Sequence, residues 1–390
     1  MKILWVNSDF LHPTTRGGQI RTLETLQCLH QGHEIHYAGL DLHQSIGLAR
    51  SSEYCTKAYA IPHNVPESFA PRFWWQAAAS SSTGLPLTVL RYRSRAMLRE
   101  VETLTRREGF DAVVCDFLAS AANIPQLENA VLFQHNVESI IWKRHVEHSP
   151  TPWHRAFSRA QYYRMLLYEG EVCRAAKRII AVSGADAREM QSLYGASRIA
   201  SVPTGVNIEY FTPPPVIQHT YDLVFLGAMD WRPNIDGLNW FVSSVLPLIR
   251  ARHPSVSLAV VGRGKWCRSR SQRDSQIHVT GTVADVRPHL WRSAVSIVPL
   301  RIGGGTRLKI YEAMAAKVPV VSTSVGAEGL VVRDGENIQI ADSPEAFAEH
   351  CVALLNDREA RRKQAQAAWE MVSACYSWEV ISRRFEQLLA

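Results

Sequence analysis

Apolar and polar positions along this chain come in short alternating blocks. The first, Lys2 to Val6, is an apolar run that ends in a polar loop, Asn7 to Gly18. Ile20, Leu23, Leu26 and Leu29 then recur at helical spacing, Gly32 stops the helix, and Ile35 to Ala38 reads as the next strand. Further runs short enough for buried strands are Ala112 to Cys115, Val131 to Phe133 and Ile179 to Val182, with helical stretches near 93–108 and 153–176 between them. In the second helical stretch Trp153, Phe157, Ala160 and Leu167 fall at helical spacing and are expected in the core. Strands alternating with helices predict a parallel, doubly wound α/β sheet.

The pattern breaks over 203–220, where Pro213-Pro214-Pro215 fits neither a helix interior nor a central strand. It restarts with Leu223 to Gly227, a helix over about 234–250, and strands at Leu258 to Val261, Ile277 to Val279, Val295 to Val298 and Val318 to Val321. From Pro344 to Ala390 the chain reads as helical, with breaks near Asp357 and Tyr376. The expected organisation is an N-terminal Rossmann-like domain over 1–203, a linker over 204–220, a second Rossmann-like domain over 221–375, and a terminal helix over 376–390. A cleft between the carboxyl ends of two such sheets suits a reaction between two substrates.

Composition narrows the class. With 390 residues, 46% hydrophobic and 20% charged, the chain is not mainly disordered. No window approaches the ~18 apolar residues of a membrane span, and the start turns polar too early for a secretion signal, so a cytoplasmic protein is expected. Seven scattered cysteines without a C-x-x-C pair read as reduced thiols. The net charge of +7 admits nucleic acid, an acidic membrane or a phosphorylated substrate. The excess is spread over both halves and no recognition helix stands out, which argues against nucleic acid. Arg72-Phe73-Trp74-Trp75, followed by Arg91, Arg93 and Arg95, suits peripheral contact with an anionic membrane; aromatics turned inward on a helix are the alternative.

The strongest chemical signal runs from Pro299 to Ala315. A strand ends at Leu300, Gly303, Gly304 and Gly305 let a backbone approach a ligand closely, and Thr306 can cap the following helix. Arg307 and Lys309 add positive charge beside that helix N-terminus, which makes an anion site. Glu312, about one and a half turns in, can accept hydrogen bonds from ribose hydroxyls. The sequence has no G-x-x-x-x-G-K-[ST] loop, and its first loop does not match G-x-G-x-x-G. It also has no D-x-D pair to hold a nucleotide sugar through a divalent metal, so no metal is expected.

These residues resemble the retaining GT-B glycosyltransferases of the group 1 family (family four), and within it bacterial exopolysaccharide-type sugar transferases. The resemblance is most specific over 295–330 and weaker at Gly17-Gly18 with Arg21, at Gln134 to Glu138, at Pro203 to Asn207 and at Phe225 to Met229 with Pro233-Asn234. It implies a GT-B fold whose terminal helix, 376–390, crosses back to the N-terminal domain, and transfer of a sugar from a nucleotide diphosphate sugar, UDP favoured over GDP, to a glycan or lipid-linked hydroxyl. Gly17 and Gly18 match the loop facing acceptor and diphosphate, and His135 the histidine near the transferred sugar. Arg21, Asn136 and Glu138 are the acceptor-side candidates. Gly227, Arg232, Gly303 to Thr306, Arg307, Lys309 and Glu312 are the donor-side ones. The first glutamate of the family's E-x7-E motif falls on Gly304, and its usual Arg and Lys positions read Ala228 and Asn234. A GT-B-like nucleotide-sugar epimerase and a non-catalytic nucleotide-sugar-binding subunit are the alternatives.

Overall fold

The computed structural model describes residues 1–390 apart from 15–16, 43–45, 66–79, 81–82, 148, 150, 265, 267–273, 303–307 and 390. The chain divides into two units, Met1–Pro203 with Ile381–Ala390, and Thr204–Val380.

In the first unit the apolar runs become parallel strands: β1 (Lys2–Asn7), β2 (Glu34–Asp41), β3 (Lys57–Pro62), β4 (Ala112–Asp116), β5 (Ala130–Gln134), β6 (Arg178–Ala181) and β7 (Ile199–Ser201). Their order is β3-β2-β1-β4-β5-β6-β7. Helices on both faces cover a parallel sheet, so its inner strands read as unbroken apolar runs, and β1 is buried from Ile3 to Asn7. The strand order reverses between β1 and β4, which sets their last residues, Asn7 and Asp116, side by side. Ligands of such sheets bind at that reversal. The helices used below are α1 (Gly17–His30), α2 (Arg95–Arg107), α3 (Glu138–Glu147), α4 (Pro152–Ala175) and α5 (Gly184–Tyr194).

The second unit repeats the plan with β8 (Tyr221–Leu226), β9 (Leu258–Val261), β10 (Ile277–Gly281), β11 (Ser293–Val298), β12 (Val320–Ser322) and β13 (Gln339–Ile340), in the order β10-β9-β8-β11-β12-β13. Its helices include α6 (Arg232–Trp240), α7 (Leu308–Ala315), α8 (Pro344–Asn356) and α9 (Arg358–Tyr376). The helix expected to run unbroken to Arg250 instead passes through a π-helical turn, Phe241–Val245, before its last turn, Leu246–Arg250. Pro247 has no N–H for the carbonyl four residues back, which accounts for the change of ladder.

Two expectations change. Residues 204–220, read as a linker, belong to the second unit: Ile208–Phe211 is a helical turn, and Trp291 Nε1 donates to the Phe211 carbonyl at 2.8 Å. The prolines forbid regular structure without forbidding packing. The last helix, α10 (Trp378–Gln387), begins in the second unit, where the Trp378 ring lies over Gly205. It ends in the first, where Phe385 meets Trp5 and Phe133 at ring-centroid distances of 5.6 and 4.8 Å.

The second change is in α4. Trp153, Phe157 and Leu167, expected in the core, are 86%, 42% and 67% exposed. The helix buries Ser158, Gln161, Met165, Glu169 and Val172 instead. Its polar members face inward because backbone donors await them: Gln161 Oε1 accepts from the Leu87 N–H at 2.8 Å, and Glu169 takes two such bonds from α3. No described helix is long and apolar enough to cross a membrane.

Candidate active site

In the first unit the strand reversal is occupied by a buried polar network. Asp116 is fully buried at the end of β4. Its Oδ2 accepts from Trp5 Nε1 at 3.0 Å, Asn7 Nδ2 at 2.7 Å and Thr22 Oγ1 at 2.8 Å, and its Oδ1 from His135 Nε2 at 2.7 Å. Arg21, one residue before Thr22 on α1, donates Nη1 to His135 Nδ1 at 3.1 Å. A guanidinium only donates and a carboxylate only accepts, so these partners fix the imidazole as the neutral Nε2–H tautomer. Burial lowers the His135 pKa from its ordinary value, with Asp116 opposing and Arg21 reinforcing the effect. Burial likewise pushes Arg21 down to about 10, which leaves it charged at neutral pH.

The His135 ring stacks on Phe117 with centroids 3.8 Å apart and planes 10° apart. Phe117 itself has φ 64 and ψ 145, a left-sided conformation that strains any residue with a Cβ. Gly18 completes the contact from α1: a Cβ there would lie 2.5 Å from Phe117 Cζ, whereas one on Gly17 would meet nothing within 4 Å. The His135 side chain is 2% exposed and both its nitrogens are engaged, so it braces the wall rather than offering a free edge.

Beyond β5 the chain exposes Asn136 and half-buries Glu138 at the start of α3. The Glu138 carboxyl is pushed up to about 7 by burial and by the charge of Glu169. Glu169 holds this turn in place: it accepts from Gln134 Nε2 at 2.8 Å, from the Glu138 and Ser139 N–H groups at 2.9 Å, and from Tyr194 Oη of α5 at 2.6 Å. Sequence reasoning alone passes over Asp116, Phe117 and Glu169. Asp116 had a signal, since it ends the apolar run of β4 as Asn7 ends that of β1; Glu169, inside a helix, had none.

In the second unit Gly227 follows β8 at the corresponding reversal. Asn234, buried on α6, donates Nδ2 to the Ala228 carbonyl at 2.8 Å and accepts Lys309 Nζ on Oδ1 at 2.9 Å. A Cβ on Gly227 would sit 2.6 Å from Asn234 Nδ2, so glycine is what lets the amide seat there. The Lys309 ammonium also lies 4.8 Å over the Phe225 ring. Glu312 is one turn further along α7, half-buried, and burial pushes its carboxyl up to about 7 against the pull of Lys309. Arg232 is exposed at the first position of α6. Gly303, Gly304, Gly305, Thr306 and Arg307 lie outside the described residues, as do Arg72, Phe73, Trp74 and Trp75. Lys309 is thus held at the end of β8 by Asn234 and Phe225, with the raised carboxyl of Glu312 one turn further along α7.

Residues 17–210 match the family model described as Glycosyltransferase Family 4, and residues 220–357 that of Glycosyl transferases group 1. A protein of the Klebsiella pneumoniae cps region is 23% identical over 99% of this chain and 99% of its own. The phosphatidyl-myo-inositol mannosyltransferase of Mycobacterium leprae is 31% identical over 52% of this chain and 56% of its own, about half of each. Among solved structures, Anabaena HepE in complex with UDP and glucose superposes with a TM-score of 0.64 at 14% identity, covering 100% of this chain and 99% of that one. With one family model matching the first unit, the other matching the second, and two doubly wound sheets beneath them, the chain belongs to the group 1 (family 4) glycosyltransferases and has their GT-B fold.

Proposed function

We propose that the protein moves a sugar from a nucleotide diphosphate sugar to a hydroxyl of a glycan or lipid-linked acceptor, with retention of anomeric configuration and without a metal. The observation that carries this reading is the Lys309–Asn234 contact at the end of β8 with Glu312 one turn on. Lys309, with Arg307 and the glycine run beside it in sequence, neutralises the leaving diphosphate, and Glu312 accepts the ribose hydroxyls. The acceptor hydroxyl attacks the face the diphosphate leaves, and a departing phosphate oxygen takes its proton. His135 and Asp116 are positioning residues for the first unit's side, with Arg21, Asn136 and Glu138 toward the acceptor. UDP is favoured as the nucleotide, in keeping with the UDP held by the Anabaena neighbour. A lipid-linked acceptor accords with the phosphatidyl-inositol named for the mycobacterial relative. The work would take place at the cytoplasmic face of a membrane.

The test is incubation with UDP- and GDP-sugars and lipid-linked acceptors in excess EDTA. Mass spectrometry reads the product and proton NMR its anomeric coupling. An acceptor gaining one sugar of the donor's configuration is expected. Product of inverted configuration, or activity lost to EDTA and restored by Mg²⁺ or Mn²⁺, overturns the corresponding part of the reading.

A further inference from the structure

The first unit has a cavity at the opposite end of its sheet from Asp116 and His135. It opens where β6 and β7 begin and measures about 500 Å³. Three cationic side chains, Lys177, Arg178 and Arg198, line it together with Ile199, Ala200 and Leu388, and no carboxylate does.

The ladder forces two of these charges together. Strands β6 and β7 run parallel, with Ile179 beside Ile199 and Ile180 beside Ala200. The Ile179 N–H donates to the Arg198 carbonyl at 2.8 Å. Arg178 and Arg198 immediately precede these pairs, so they start from neighbouring strands about 4.8 Å apart and leave toward one face. Like charges set side by side in this way are destabilising. Elsewhere in the chain such cations are neutralised: Arg250 by Asp274, Arg287 by Asp285 and Arg301 by Asp236. Here, among the described residues, the side chains of Lys177 and Arg198 have no hydrogen-bond or ion-pair partner. Arg178 has one, and it is neutral: the Leu388 carbonyl accepts its Nη1 at 2.7 Å. Glu386, two residues before Leu388, bonds His33 instead, at 3.1 Å.

Three positive charges around one cavity favour a ligand with more than one negative charge. A phosphate monoester carries nearly two, with three acceptor oxygens that guanidinium forks match; a carboxylate carries one. Ile199, Ala200 and Leu388 give the cavity an apolar side, and its volume is that of a small-molecule site rather than of a lone ion.

We propose that this cavity binds a phosphorylated small molecule, its phosphate held by Lys177, Arg178 and Arg198 and its organic body against Ile199, Ala200 and Leu388. The site is distinct from the donor site around Lys309, and the proposal stands independently of the reaction proposed above.

The test is saturation-transfer NMR of the full chain with phenyl phosphate, whose ring protons report contact and whose titration gives an affinity. Benzoate, at matched ionic strength, is the singly charged comparison. The variants are Lys177→Gln, Arg198→Gln, the two combined, and Lys309→Ala. Lys177 and Arg198 have no side-chain bond to lose, and Arg178 is left to hold Leu388; circular dichroism and melting confirm that each variant is folded. Expected is saturable binding of phenyl phosphate, weakened about five- to tenfold by each glutamine and at least about 25-fold by both. Benzoate should bind more weakly than phenyl phosphate, and Lys309→Ala should retain the binding. No saturable binding to the wild type overturns the proposal, as does a double glutamine variant that binds undiminished or benzoate that binds as tightly. So does binding that Lys309→Ala abolishes and the double variant keeps, since that would put the phosphate in the donor site. Sugar transfer is read separately, so failure of one reading leaves the other standing.

Discussion

Replacing Gly18 by alanine sets a methyl carbon 2.5 Å from Phe117 Cζ and 2.9 Å from its Cε1. The ring has little room to retreat. It lies flat on His135 at 3.8 Å, and His135 is held by Asp116 and Arg21. Its backbone already sits at φ 64. Overpacking of this kind costs about 1–3 kcal/mol. Gly17 is the internal control, because a Cβ there meets nothing within 4 Å. Alanine at that helical position is neutral or gains up to about 1 kcal/mol. For a unit of roughly 200 residues each kcal/mol moves the melting temperature by about 2–4 °C. Scanning calorimetry should then show Gly18→Ala melting about 2–12 °C below wild type and Gly17→Ala at or above it. In a double-mutant cycle, Phe117→Ala should absorb most of the Gly18→Ala penalty, because it removes the atoms that clash. Equal melting of the two alanine variants, or strict additivity in the cycle, would refute the claim that Gly18 exists to admit Phe117 against His135.

Two further outcomes follow from the buried groups. Asp116→Asn should lose about 3 kcal/mol of stability, since an amide N–H then faces donors from Trp5, Asn7, Thr22 or His135; urea melts read this, and an unchanged midpoint contradicts the network. Glu312, held near 7 in the fold against an ordinary 4.5, binds more protons folded than unfolded between those values. Stability should therefore fall as pH rises from about 4.5 through 7, with Glu312 contributing up to about 3 kcal/mol, and Glu312→Gln should make the slope of urea midpoints across the range shallower by that share, leaving the share of Glu138, which is shifted the same way; an identical slope in the variant would show that the carboxyl is not buried as described.

Much of the fold was legible because inner strands of a parallel sheet are unbroken apolar runs. Strands β3, β7 and β13 were not, because they lie at sheet edges and are only partly buried, and β7 and β13 are also short. Helical periodicity correctly placed α4 but inverted its faces, since spacing alone does not say which side meets the core. Gln161 and Glu169 turned inward to satisfy backbone N–H groups that are contributed from elsewhere in the sequence. In the site, Lys309 and Glu312 could be picked out from the glycine run and the helix that follows it, whereas Gly18 and His135 were singled out by the family resemblance. The tautomer of His135 could not, because it depends on Asp116 and Arg21, respectively 19 and 114 residues away.

The central claim is that the second unit holds the donor nucleotide through Lys309. Calorimetric titration of UDP into the wild type, Lys309→Ala and Asp116→Asn tests it directly. A charge-assisted hydrogen bond of about 1.5–3 kcal/mol predicts that Lys309→Ala weakens binding by about 10- to 150-fold. Asp116→Asn, which alters only the first unit's network, should bind UDP as the wild type does. Wild-type affinity in Lys309→Ala, or an equal loss in Asp116→Asn, would contradict the account.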